Sequence, residues 1–118
     1  MNLEEIRLYA LSKNRSTEDM PFDDQTVTIR IRNKMFLVIL LDKPEWIVMK
    51  CDPERAITLR EAYPNKVLPA WHFNKKYWNM VAYSNIDGEI IKEWIDHSYE
   101  EVVKKLPKKE REELKKNI

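Results

Sequence analysis

The sequence predicts an α+β domain in which helices cover one face of an antiparallel β-sheet meander. Residues 25–32 alternate strictly between polar and apolar side chains, Met35–Leu41 is a continuous apolar run, and the apolar positions from Ile91 to Leu106 recur at helical spacing. The first pattern describes a half-buried strand, the second a strand covered on both faces, and the third a helix with one buried stripe.

In chain order, Asn2 followed by Glu5 is a capping-box pair, and Leu3, Ile6, Tyr9 and Ala10 carry a helix to about Lys13. A polar loop containing Pro21 precedes the alternating strand, where Val27, Ile29 and Ile31 point one way and Thr26, Thr28, Arg30 and Arg32 the other. Asn33 tolerates the left-handed backbone that a tight hairpin requires before Met35–Leu41. Asp42 to Glu45 is a turn, and Trp46 to Cys51 is a third strand of the meander. Asp52 caps a short helix with Pro53 at its first position, and Pro64 stops it. Val67-Leu68 and Trp78–Tyr83 add a fourth and a fifth strand, the upper count expected. Asp87 or Asn85 opens the last long helix, which ends at Pro107, and residues 108–118 form a charged tail with a turn or two of helix held by Leu114 and Ile118.

A chain of 118 residues with 43% hydrophobic and 35% charged residues fits one soluble domain spanning 1–118. No apolar run approaches the roughly 20 residues of a membrane helix. The expectation is no membrane association and, with charged Glu4, Glu5 and Arg7 at the start instead of a secretory signal, a cytoplasmic location. The single cysteine, Cys51, agrees with a reducing compartment and reads as a small buried hydrophobe in register with Ile47 and Met49.

Net charge is only +1, but its distribution is polarised: residues 1–24 hold six acids against three bases, and residues 104–118 seven bases against three acids. With Val27, Ile29, Ile31, Ile47 and Met49 under the helices, the opposite sheet face carries Thr28, Arg30, Arg32, Trp46, Val48 and Lys50. Cations beside an aromatic ring suit phosphate contact and base stacking. The stretch PAWHFNKKYWNMV, residues 69–81, supports two readings side by side. Phe73 and Trp78 plug the core edge while His72, Asn74 and Asn79 satisfy loop backbone groups; alternatively, Lys75 and Lys76 contact phosphates while Trp71, Asn74 or Tyr77 touches bases or sugars.

The segments TEDMPF (17–22), KCDPE (50–54), HFNKKYWN (72–79) and SYEEVVKKLPKK (98–109) stand in the order and spacing of the MmcQ/YjbR family, which the chain resembles over nearly its whole length. The resemblance implies a fold similar to the CyaY/frataxin-like two-layer α+β sandwich, also compared with the double-wing DNA-binding domain of the phage transcription factor MotA, and hence DNA as a partner. The chain departs from the family pattern at Ala70 and Trp71, where glycine and tyrosine are usual, and at Tyr77, where a second histidine is frequent.

The functional expectation is a non-catalytic protein that binds nucleic acid through Arg30, Arg32, Trp46, Lys50, Trp71, His72, Asn74, Lys75, Lys76 and Tyr77. No catalytic residue, metal ligand or cofactor is assigned, because no nucleophile–base spacing, phosphate-binding glycine loop or metal-ligand spacing occurs. The alternative is a protein-interaction module or homodimer using the same surface. A third reading, suggested by a frataxin-like fold, is weak iron binding on Glu4, Glu5, Glu18, Asp19, Asp23 and Asp24.

Overall fold

The computed structural model describes residues 1–116. Helix α1 (Leu3–Leu11) starts at the capping box, with Asn2 accepting from the Glu5 amide at 2.8 Å and Glu5 accepting from the Asn2 amide at 2.9 Å. Strands β1 (Ser16–Asp19), β2 (Thr26–Ile31), β3 (Lys34–Leu40) and β4 (Ile47–Lys50) follow, then α2 (Pro53–Ala62), β5 (Val67–Pro69), β6 (Trp78–Val81), a 3-10 turn at Tyr83–Asn85, α3 (Gly88–Val103) and α4 (Lys108–Lys116). The strands form one sheet in the order β1-β2-β3-β4-β6-β5, and every neighbouring pair is antiparallel.

The hairpin joining β2 to β3 places both Arg32 (φ 50°) and Asn33 (φ 69°) in the left-handed region, as a two-residue turn that follows the strand twist requires. Within this pair Ile29 faces Leu37 and Arg30 faces Met35, so Phe36 is the extra residue of a β-bulge. The bulge directs consecutive Phe36 and Leu37 into the same core, where Phe36 meets Tyr99 edge-on at 5.5 Å. Beneath the helices, Ile29, Ile31, Leu37, Ile39, Ile47 and Met49 pack against Ile6, Ile91, Trp94 and Ile95. The opposite face has a smaller core of its own: Val38, Val48, Ala70 and Trp78 are buried there, with Met35, Leu40, Phe73, Tyr77 and Met80 packed around them.

The structure corrects the sequence reading in two places. The sheet has six strands, because Ser16–Asp19, read as loop, pairs along β2. This edge strand is polar and almost wholly exposed, so it lacks the apolar alternation that marks a strand; its pairing is reinforced by Thr28, whose hydroxyl donates to Asp19. Arg32 belongs to the turn instead of the open sheet face, and its guanidinium reaches Glu113 of α4 at 2.7 Å. The charged tail is helical and held by Leu114, as expected: Leu114 is 4% exposed within the helix-side core, and its carbonyl accepts from Asn14 at 2.7 Å. Ile118, the other anchor expected there, lies outside the described residues.

Truncation of a core-docked leucine leaves a cavity, so Leu114→Ala is expected to lower unfolding stability by about 2–4 kcal/mol in urea titrations. A change below about 0.5 kcal/mol would be the behaviour of a surface tail.

Candidate functional site

The stretch at residues 69–81 supplies β5's end, a loop and β6. Its loop is closed from within by Asn74, whose side chain accepts from the Lys76 amide (3.1 Å) and whose carbonyl accepts from the Tyr77 amide (3.0 Å). His72 takes a left-handed backbone (φ 70°), while Phe73 turns inward onto Trp78 at a ring separation of 5.4 Å. From below, Arg60 of α2 donates Nε to Asn79 Oδ1 at 2.7 Å and Nη2 to the Lys75 carbonyl, and Asn79 donates to the Ala56 carbonyl at 3.3 Å. Arg60 therefore fastens the loop to α2. The Tyr77 carbonyl accepts from the Cys51 amide at 2.8 Å, tying the loop to the end of β4.

This anchoring produces a cluster of cations. Lys50, Lys76 and Lys105 place their ammonium groups 5.1, 5.5 and 4.9 Å from the centre of the Tyr77 ring, and Lys50 also lies 5.0 Å from the Trp78 ring. Burial lowers the Lys50 pKa from the ordinary lysine range; the positive charges of Lys105 and Lys34 act in the same direction, and Glu101 opposes them. Glu101 is itself paired with Lys104 at 2.5 Å. Among the described residues, Lys34, Lys50, Lys76 and Lys105 make no ion pair, and neither do Arg15, Lys43, Lys66 and Lys75; Arg7, Lys13, Arg30, Arg32, Arg55, Lys92 and Lys104 do.

Beside the cluster, the open sheet face forms a groove of about 990 Å³. Leu40, Val48, Leu68 and Met80 belong to its apolar floor, and Phe22, Trp46, Trp71 and Phe73 place rings along it. Trp71 and Phe22 are 67% and 64% exposed, unusual for large aromatics that no neighbouring element covers. Asp23, Asp42 and Glu45 line the same groove against Lys43, so its charged lining is mostly acidic and not the basic face that the sequence suggested.

The residues named from sequence thus separate into groups. Lys50, Lys76 and Tyr77 meet in the cluster, while Trp46, Trp71 and His72 line the groove. Asn74 caps the loop, and Lys75 is exposed with its carbonyl held by Arg60. Arg30 does lie on the open face, but its Nε is 3.1 Å from Asp19 and its Nη1 donates to the Asn33 carbonyl at 2.9 Å; Arg32 pairs with Glu113. Sequence reasoning missed Lys105, delivered by the end of α3, and Arg60, whose role depends on α2 lying under the loop.

The titratable groups on the helix side serve the fold. Cys51 is buried, and that burial pushes its thiol up to about 11. His97 Nε2 accepts from the Asp52 amide at 3.1 Å, and its pKa is lowered, first by burial and then by Arg55. The acids considered for iron have other partners: Glu4 and Glu18 pair with Arg7, Glu5 completes the capping box, Asp19 binds Thr28 and Arg30, Asp23 accepts from the Gln25 amide at 2.8 Å, and Asp24 accepts from Gln25 Nε2 at 3.4 Å. No group of three or more His, Cys, Asp or Glu side chains suited to a metal occurs among the described residues. None of the described helices is long and apolar enough to cross a membrane.

The YjbR family model matches residues 11–101, which contain the loop, Arg60, Lys50 and most of α3. The chain belongs to the YjbR family. The crystal structure of a Deinococcus radiodurans protein with a DUF419 domain is 32% identical, with a TM-score of 0.88 over 96% of this chain and 87% of that one. A Pseudomonas syringae protein of 22% identity superposes with a TM-score of 0.67, over 83% of this YjbR chain and 96% of its own, and shares the fold. No curated protein matches the sequence.

Two outcomes check this account of the site. Arg60→Met keeps the aliphatic stem but strips the partners from Asn79 Oδ1 and the Lys75 carbonyl, so amide exchange across residues 72–77 should accelerate at least tenfold, equivalent to about 1.4 kcal/mol or more of lost local protection. Unchanged exchange would mean that the clamp does not hold the loop. The Cys51 thiol should resist a disulfide reagent at pH 8 in the folded protein and react once urea unfolds it. Because its folded pKa lies above the unfolded value of 9.0, the unfolded chain loses this proton first, and this group's contribution to stability should decline between pH 9 and about 11.

Proposed function

We propose that this YjbR protein is a non-catalytic binder of single-stranded nucleic acid, which lies along the open sheet face. The reading is carried by one observation: Lys50, Lys76 and Lys105 all place their ammonium groups around the Tyr77 ring, and none of the three makes an ion pair with a carboxylate. Clustered ammonium groups repel one another, and an anion placed among them relieves that repulsion. Phosphates at the lysines would set affinity, and Trp46, Trp71 and Phe22 along the groove would offer faces to bases. A duplex hides its base faces, so exposed rings in a groove favour an unpaired strand.

A second reading has its own support. Asp23, Asp42 and Glu45 on an apolar groove suit a protein segment that presents basic and apolar side chains, either from a partner or from a second copy of the chain.

Fluorescence anisotropy with a labelled single-stranded oligonucleotide, at low and near-physiological salt, separates the two. Under the nucleic-acid reading affinity falls steeply with salt, and Lys76→Glu combined with Lys105→Glu weakens binding at low salt by at least about tenfold, with the fold checked by circular dichroism. Affinity unchanged by both charge reversals would refute that reading. Self-association detected by sedimentation, together with no oligonucleotide binding, would favour the protein reading.

A further inference from the structure

We infer that the lysine cluster around Tyr77 takes a terminal phosphate monoester of the strand, so that the protein recognises strand ends and not only internal backbone. This deepens the nucleic-acid reading and rests on it. Charge and location carry the inference. The ammonium groups of Lys50, Lys76 and Lys105 lie within 5.5 Å of one ring centre, which concentrates three positive charges at one point of the surface. Lys34 adds a fourth positive charge near Lys50, and Glu101, the carboxylate that acts on Lys50, is already paired with Lys104. An internal phosphodiester brings one negative charge to such a site, whereas a phosphate monoester carries about −1.5 to −2 near pH 7, with a second pKa near 6. The monoester matches the concentrated cationic charge better.

Location agrees. The groove lining reaches Met35 and Phe73, and these two side chains pack in the same open-face core as Tyr77. The cluster therefore adjoins one end of the groove, where β4, the start of β6 and the residues after α3 come together. A terminal phosphate held there would leave the first bases facing the Phe73 and Trp71 side of the groove.

The test compares three labelled oligonucleotides of one sequence, about ten nucleotides long and within the usual site size for unpaired strands. One bears a 5′-phosphate, one a 3′-phosphate, and one hydroxyls at both ends. At fixed ionic strength and pH 7.5, one phosphorylated strand should bind about tenfold more tightly than the hydroxyl strand, the size of one additional charge-assisted contact. Lys105→Gln and Lys50→Gln should each erase most of that difference. Lowering the pH to 5.5 should shrink the advantage, since the monoester gains a proton while the hydroxyl-ended strand has none to gain at its ends. Equal binding of all three strands, with the lysine variants weakening each alike, would overturn the inference while leaving the nucleic-acid reading intact. Binding of none of the strands at low salt would overturn both.

Discussion

The structure depends on burying both faces of its central strands. Along β3 and β4, Leu37, Ile39, Ile47 and Met49 face the helices, while Val38, Leu40 and Val48 face the other way. One helical layer cannot cover two apolar faces. The second cover is built from the stretch at 69–81, whose Ala70, Phe73, Tyr77 and Trp78 pack against Val38 and Val48. Trp78 is buried and Phe73 and Tyr77 are half-buried against it, so the rings of this stretch are part of the folding core. Its lysines are carried outward as a consequence of that packing. The aromatic plug and the cationic surface are two sides of one element, and Arg60 and Asn79 fix its seat on α2.

Electrostatics then distinguishes surface that serves the fold from surface left for a ligand. Arg30 stabilises the edge pairing through Asp19, Arg32 links the first hairpin to α4, and Arg7 joins α1 to Glu18 of β1. Exposed pairs of this kind contribute little each, about 0–1 kcal/mol, yet they neutralise their own charges locally. Around Tyr77 no ion pair does this: Glu101 acts on Lys50 from a distance while paired with Lys104, and the ring quadrupole offsets part of the repulsion. Near-neutral overall charge therefore conceals a concentrated cationic point beside an aromatic groove that also carries acids.

Much of the fold was legible in the sequence because burial imposes period. The alternation in β2, the doubly apolar β3 and the helical stripe of α3 announce themselves, and Asn2 with Glu5 and Asp52 with Pro53 mark the two helix starts where they occur. Edge strand β1 was hidden because an exposed strand has no apolar side to reveal it. The docking of α4 was legible in a single residue, since Leu114 stands as an apolar anchor amid charged side chains. The bulge at Phe36 leaves no pattern in an all-apolar run. At the candidate site, Lys50, Lys76 and Tyr77 were readable as cations and a ring on one surface. Arg30 and Arg32 looked identical to them in sequence, because their carboxylate partners come from an unrecognised strand and from a distant helix. Lys105 was out of reach for the same reason, since only the path of α3 brings it to Tyr77.

The lysines at Tyr77 and the adjoining groove are proposed to form one binding surface for an unpaired strand. A heteronuclear NMR titration with a short single-stranded oligonucleotide tests it most directly, because it reads every site at once without altering any residue. Saturable shifts of the Lys50, Tyr77 and Lys105 amides are expected together with the Trp46 and Trp71 indole signals, all following one isotherm, while the Trp94 indole stays in place beneath the helices. Shifts confined to other surfaces, or the absence of any shift at Tyr77 and Trp71 with strand in excess, would contradict it.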